Sequence, residues 1–194
     1  MTREFIKGYG IPLLKNNIDT DQIIPARFCY EPKRTGYKDA LFGNWREDPS
    51  FILNNPDYNE ASILIAGYGF ATGSSREYAV WAIKDYGFKV VIAKSFGEIF
   101  YKNAILNDVL PLKVSTESIN IIWEVLTNNP KASIFIDLIK DIIKIKNYEL
   151  SIFIDPQFKK KYLLNEDEIS LTLKELESIR DYEKKRTKYF VTTK

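Results

Sequence analysis

Short apolar runs alternate with amphipathic segments in the middle of the chain, and this alternation restricts the fold more than any other feature. The apolar runs at 62–66, 88–93 and 109–114 predict buried strands, and residues at helical spacing follow the first two. This order predicts a parallel sheet with right-handed crossovers. Because such sheets bind ligands beyond the carboxyl ends of their strands, the loop 67–73 leads to the first candidate functional segment.

Both helices of this region are predicted to begin at a capping box, the pattern Ser-x-x-Glu. Ser74 to Glu77 opens a helix that Gly87 ends, and Glu77 is interpreted as the structural partner in this box. Ser95 to Glu98 opens a second helix that extends to about Asn103. The two patterns therefore predict helix starts at 74 and 95.

The predicted elements outside this region are more varied. They are, in chain order, a strand near 5–13, a loop-rich stretch at 19–46, a helix near 116–127, strands at 133–138, 142–145 and 148–154, and a charged surface helix at about 173–188. The three closely spaced strands predict an antiparallel β-meander. We therefore expect a mixed α/β fold that forms a single domain over residues 1–194.

The absence of histidine and the single cysteine remove several classes of site from this chain. Its 194 residues include no histidine, so neither a Ser-His-Asp triad nor an imidazole metal site can form within it. Cys29 alone can form no intrachain disulfide and cannot hold an iron-sulfur cluster, which takes several thiolates. Any cluster or histidine acid of a shared active site must come from a partner.

The charge balance and hydropathy indicate an ordinary globular chain. Twenty-eight basic and 26 acidic residues leave a net charge of +2, and the one basic run, Lys159 to Lys161, is interpreted as a solvated surface. No apolar run approaches the roughly 20 residues that span a bilayer, and the N-terminal residues lack a signal-peptide pattern. We expect a cytoplasmic protein without nucleic-acid or membrane partners.

The segment Gly73-Ser74-Ser75-Arg76-Glu77 is the strongest candidate for chemistry. It places two hydroxyls and a guanidinium at a predicted helix N-terminus, where free N–H groups and the helix dipole attract anions. Arg76 can bind a carboxylate in a bidentate geometry, so an acidic substrate is indicated. The alternative is that Ser-x-x-Glu is only a helix cap. A phosphate-binding loop is excluded because Ser74 stands where its lysine is required.

Several further motifs occur in order from about Phe5 to about Leu173. They are Asn17 to Pro25, Arg34 to Gly36, Gly73 to Ala79, Asp85 to Ala93, Ser95-Phe96, Asn107 and Leu110-Pro111. Together they closely resemble the small subunits of bacterial 3-isopropylmalate dehydratase. The resemblance implies the swivelling domain of the aconitase superfamily, with three β/β/α layers. It also implies a large-subunit partner that carries a [4Fe-4S] cluster, while this chain binds no cofactor itself.

The resemblance implies an activity and the residues that perform it. The reaction interconverts 2-isopropylmalate and 3-isopropylmalate by dehydration and rehydration, a step of leucine biosynthesis. Ser74 matches the general base, and Ser75 and Arg76 match residues that contact substrate. A serine alkoxide near neutral pH needs N–H donors and positive charge, which a helix N-terminus and Arg76 would supply.

Residues at the edge of the implied active site come from the same resemblance. Thr20 and Asp21 match this edge, where Asp21 could orient a histidine of the large subunit. The alternative is that Asp21 only caps a turn. Arg34 lies where related enzymes place a second substrate-binding arginine.

The segment Phe28-Cys29-Tyr30 matches the part of related enzymes that sorts substrates by their variable side chain. An apolar lining there favours an isopropyl group, because a buried carboxylate without a partner is costly. Core packing of Phe28 and Tyr30 is the alternative.

Three residues beside the central segment depart from the family pattern. Ala71 and Thr72 stand where the family usually has Gly-Cys, and Tyr78 stands where it usually has histidine. These departures put only the loop geometry in question. Two other functions stay open: a related hydro-lyase acting on homoaconitate, citraconate or a methylmalate, and a noncatalytic anion-binding or RNA-binding module. The near-neutral charge argues against RNA.

Overall fold

The computed structural model describes residues 3–30, 33–73, 76–164, 173 and 175–186. Within these ranges one sheet contains seven strands: β1 (Phe5–Pro12), β2 (Ala61–Ile65), β3 (Val90–Ala93), β4 (Leu110–Lys113), β5 (Ser133–Asp137), β6 (Ile142–Ile145) and β7 (Tyr148–Ser151). The α-helices of the same ranges are α1 (Thr20–Ile23), α2 (Tyr78–Tyr86), α3 (Glu98–Leu106), α4 (Thr116–Asn128), α5 (Pro156–Leu164) and α6 (Leu176–Lys185). Short 3-10 helices occupy much of the connection between α1 and β2.

The sheet has a parallel half and an antiparallel half, in the strand order β4-β3-β2-β1-β5-β6-β7. Strands β1 to β4 pair in parallel, and β5 to β7 form an antiparallel meander against β1. The sheet curls until its ends meet, because Lys113 and Phe153 exchange backbone hydrogen bonds of 3.1 and 2.7 Å. The predicted α/β class, with a parallel core and a β-meander, is confirmed.

The parallel strands are buried on both faces, which explains their continuous apolar sequences. Leu64 and Val91 face a core formed with α2 and α3. Their neighbours Ile63 and Val90 face a second core, where the curled sheet packs around α4. The carboxyl ends of β1, β2 and β3 lie at the same sheet edge, and the connections that leave this edge carry the candidate site.

Both predicted capping boxes are wrong, since the N-cap residue is Glu77 instead of Ser74 in α2 and Gly97 instead of Ser95 in α3. Helix α3 has Gly97 as its N-cap residue, and the Ser95 hydroxyl instead accepts a hydrogen bond of 2.8 Å from Gly69 N–H. Helix α2 begins at Tyr78 after the N-cap residue Glu77, whose carboxylate accepts a 2.9 Å hydrogen bond from Asn107 Nδ2. The two side chains that the local pattern assigned to caps, Ser95 and Glu77, therefore form hydrogen bonds with other segments of the chain.

The C-terminal part contains a helix that was not predicted. Helix α5 follows Asp155, whose carboxylate accepts from Gln157 N–H at 2.9 Å, and it has Pro156 at its first position. Lys159 pairs with Asp141 at 2.7 Å. Helix α6 lies inside the predicted range 173–188, part of which is outside the described residues. None of the helices in the described ranges has the length and apolar character needed to cross a membrane.

Candidate functional site

The loop after β2 is held between the segments that follow β1 and β3. Thr20 N–H donates to Thr72 O at 3.1 Å on one side. On the other side, Phe70 N–H donates to Ser95 O and Gly97 N–H donates to Phe70 O, each at 2.9 Å. These bonds continue the parallel pairing beyond the sheet edge and fix the chain as it approaches Gly73.

Close backbone contact explains why glycine occupies position 97. A Cβ there would lie 2.3 Å from the carbonyl oxygen of Ala71, although Gly97 itself has an ordinary φ of −61°. Ala71 adopts a left-handed φ of 56° and Gly73 a φ of 93°, so the loop turns sharply twice before residue 74. The loop is therefore pressed against the start of α3.

Arg76 and Asp21 form an ion pair across 55 positions of sequence. Asp21 lies on α1, which is fixed by a capping box in which Asp19 accepts from Gln22 N–H at 2.8 Å. The cap of this turn is thus Asp19, and the Asp21 carboxylate is directed to the arginine instead. Both side chains remain partly open to solvent, with 28% of Arg76 and 57% of Asp21 exposed. An incoming carboxylate can therefore compete for the guanidinium.

The thiol of Cys29 lies close enough to this ion pair to respond to both charges. Burial raises the pKa of the Cys29 thiol; the Arg76 guanidinium opposes this shift and the Asp21 carboxylate adds to it. The Sγ atom is 3.9 Å from Pro25 O. The predicted residues Asp21, Cys29 and Arg76 therefore come together in the structure.

A cleft of about 380 Å³ lies at the segment 28–30, which the sequence predicted to determine substrate specificity. Its walls include Phe28, Tyr30, Lys33, Thr35, Gly36, Tyr37, Asp39 and Ala40. Tyr30 is 76% exposed, whereas Phe28 packs against the core, where a Cβ at Gly43 would meet its ring at 2.9 Å. Packing is thus one role of Phe28, while Tyr30 is available to a ligand.

Arg34 is exposed and shares no hydrogen bond or ion pair with Arg76 or Asp21 in the described part of the chain. The loop that carries it is tied to α2, because the N–H groups of Gly36 and Tyr37 donate to Asp85 Oδ2 at 2.7 and 2.9 Å. The structure therefore places Arg34 on an anchored loop but does not bring its side chain to the pair.

Asn107 is a positioning residue to which sequence reasoning assigned no role. Its amide donates to Glu77 Oε1 at 2.9 Å and accepts from Trp81 Nε1 at 3.2 Å. It thereby joins the end of α3 to the first turn of α2, directly after Arg76. Asn107 belongs to the motifs that resemble the family, but its position just after a predicted helix indicates a helix end rather than a cross-link.

Comparisons with known proteins identify the relatives of this chain. A family profile described as "Aconitase C-terminal domain" matches residues 3–117, which include every residue of the site discussed above. The "3-isopropylmalate dehydratase small subunit" of Kineococcus radiotolerans is 40% identical over 187 residues, covering 96% of this chain and 93% of that protein. The small subunit of the same name from Saccharopolyspora erythraea is 43% identical, covering 94% and 91%.

The chain belongs to the 3-isopropylmalate dehydratase small-subunit family. A crystal structure of 3-isopropylmalate dehydratase from Methanocaldococcus jannaschii superposes with a TM-score of 0.66 at 30% identity, covering 92% of this chain and 99% of that one. Membership of this aconitase-related family confirms the resemblance found in the motifs and the expected type of enzyme, a hydro-lyase that acts with a large subunit.

The three departures from the small-subunit pattern have structural counterparts. Ala71 takes the left-handed conformation that the usual glycine adopts without strain. The Thr72 hydroxyl donates a long hydrogen bond of 3.5 Å to Gly69 O within the same loop. Tyr78 packs its ring edge-on against Tyr37, with the centroids 5.4 Å apart, and so fastens the 33–40 loop to α2.

Ser74 and Ser75, the predicted base and its neighbour, lie outside the described residues. The residues on either side are described, with Gly73 beside α1 and Arg76 paired to Asp21. Among the described residues, no group of three or more His, Cys, Asp or Glu side chains is placed to hold a metal ion.

Proposed function

We propose that this chain is the small subunit of an enzyme that interconverts 2-isopropylmalate and 3-isopropylmalate by dehydration and rehydration, a step of leucine biosynthesis. The observation that carries the proposal is the Arg76 and Asp21 pair at the carboxyl edge of the parallel strands in a member of this family. A substrate with two carboxylates needs a cation at such an edge.

The proposed partner is a large subunit that contributes the [4Fe-4S] cluster. The side chains of this chain do not fit a cluster, because Cys29 is its one cysteine and it contains no histidine. The site at the carboxyl edge is therefore one half of an active site. A single domain, a cytoplasmic location and the absence of nucleic-acid or membrane partners stay predictions from composition.

Within this half-site, we assign proton removal to Ser74 and carboxylate binding to Ser75 and Arg76. Ser74 would take the proton from the carbon next to a substrate carboxylate. The Arg76 guanidinium, two residues further along the chain, would supply part of the positive potential that a serine oxygen needs to accept it. Asp21, released from Arg76 when substrate binds, would then orient a histidine of the large subunit.

The cleft beside Tyr30 is the proposed site for the variable substrate side chain. Its aromatic wall favours an isopropyl group. The alternative is a related hydro-lyase whose substrate has a distal carboxylate, such as homoaconitate. A panel of both substrates on the assembled enzyme separates these candidates. Arg34 stays a predicted substrate contact.

The decisive experiment coexpresses this chain with its cognate large subunit and measures isomerisation. Ser74→Ala should lower kcat by about 10²- to 10⁴-fold, the usual contribution of a general base. Ser178→Ala, an exposed change on α6, is the matched control and should leave turnover unchanged. Wild-type turnover in Ser74→Ala contradicts the base assignment. Failure of the wild-type complex to isomerise either substrate overturns the proposed function.

A further inference from the structure

A buried hydroxyl next to the Arg76 and Asp21 pair has no hydrogen-bond partner among the described residues. It is Oγ1 of Thr20, a residue that is 1% exposed. A buried donor without a partner destabilises a folded chain, because it loses its bonds to water and gains none. Valine has nearly the same shape and no polar atom, so it would pack better here. The hydroxyl therefore points to a use beyond packing.

Thr20 lies between the two contacts that join the candidate site to α1. Its own N–H donates to Thr72 O in the loop that leads to the site. The next residue, Asp21, pairs with Arg76 where the chain leaves the site. Thr20 and Ile23, three residues apart, share the buried face of α1, and α1 packs against α2. The hydroxyl is therefore on the inner side of α1, beside the start of α2.

We propose that the Thr20 hydroxyl donates a hydrogen bond to an oxygen that carries negative charge at the reaction centre of the assembled enzyme. This inference rests on the proposed function. The acceptor is a serine oxygen acting as base or a substrate carboxylate oxygen, which have the same chemistry toward a donor. Because Oγ1 is fully buried in the isolated chain, a substrate oxygen reaches it only if α1 moves in the complex. Because Oγ1 is closed off from bulk water, a bond made there is stronger than one made at the surface. A charged acceptor strengthens it further.

The test compares Thr20→Val with Thr20→Ser, which keeps a hydroxyl, both as isolated chains and in complex with the large subunit. In Thr20→Val the Tm of the isolated chain should rise by about 2–6 °C, because an unpaired buried hydroxyl has been removed. The kcat/KM of the complex should fall about 10- to 100-fold, because a bond to a charged group is lost. Thr20→Ser should keep most of the activity. Thr127→Val, on the exposed face of α4, is the control and should change neither quantity.

The kinetic constants identify the acceptor. If Thr20→Val shifts the rising limb of the pH profile of kcat to higher pH, the acceptor is the serine base, since a hydrogen-bond donor stabilises the deprotonated serine. A raised KM with an unchanged profile assigns it to the substrate carboxylate. Wild-type kcat/KM in the Thr20→Val complex, or a lowered Tm of the isolated chain, overturns the inference. An inactive Ser74→Ala beside a fully active Thr20→Val would reject this inference alone and leave the proposed function standing.

Discussion

Replacing Gly97 by alanine should move the site loop without touching any residue proposed for chemistry. The added Cβ would lie 2.3 Å from Ala71 O, 3.1 Å from Ala71 C and 3.3 Å from Thr72 Cα. The first contact is about 1 Å shorter than ordinary van der Waals packing allows. All three atoms belong to the backbone, so no side chain can rotate away. Either α3 or the loop must shift.

The expected cost follows from this contact. Adding one methyl group to a packed region lowers the free energy of unfolding by about 1–3 kcal/mol. Because the neighbouring atoms are backbone and cannot rotate away, we expect a loss of about 2–3 kcal/mol for Gly97→Ala. For a chain of this length the Tm should fall by about 4–12 °C. A displacement of about 1 Å at the loop should lower kcat/KM by about 10²-fold, because residues 74–76 follow directly.

The assay combines thermal unfolding of the isolated chain with isomerisation by the complex, and Gly87→Ala is its matched control. Gly87 ends α2 with φ of 115°, and a Cβ there would meet no atom within 4 Å. Its substitution should cost about 1 kcal/mol through backbone strain while activity per folded molecule stays near that of the wild type. Equal losses of activity in both variants, or a wild-type Tm in Gly97→Ala, would refute the reasoning.

Two further substitutions test the contacts around Arg76. Asp21→Asn removes a negative charge that raises the pKa of the Cys29 thiol, so the thiolate fraction should increase. Cys29 is the one cysteine of the chain, and iodoacetamide should alkylate it faster at pH 8 in this variant than in the wild type. An unchanged or slower rate would place Asp21 away from the thiol. Asn107→Ala removes the amide that donates to the partly buried Glu77 carboxylate, so urea unfolding should show a free energy of unfolding lowered by about 1–3 kcal/mol. An unchanged urea midpoint would mean that this hydrogen bond contributes nothing to stability.

Much of the fold follows from local pattern in the sequence. The runs at 62–66 and 88–93 predicted parallel strands because burial on both faces demands continuous apolar residues, which a short window reveals. The meander at 133–151 was predicted from its short strands and turns. The motif Gly73 to Ala79 likewise identified the family. Such signals depend on neighbours within a few residues, so they can be read from the chain alone.

Contacts between distant segments determined the remaining features. Ser95 matches a helix cap, yet its hydroxyl accepts a hydrogen bond from Gly69 N–H, and α3 starts after Gly97, a position where the Ala71 backbone leaves no room for a Cβ. The pairing of Arg76 with Asp21 and the unpaired hydroxyl of Thr20 depend on where α1 meets the loop after β2. A local pattern shows which bonds a side chain can make. Which of them it makes depends on what the fold brings within about 3 Å of it, and no short window of sequence contains that information.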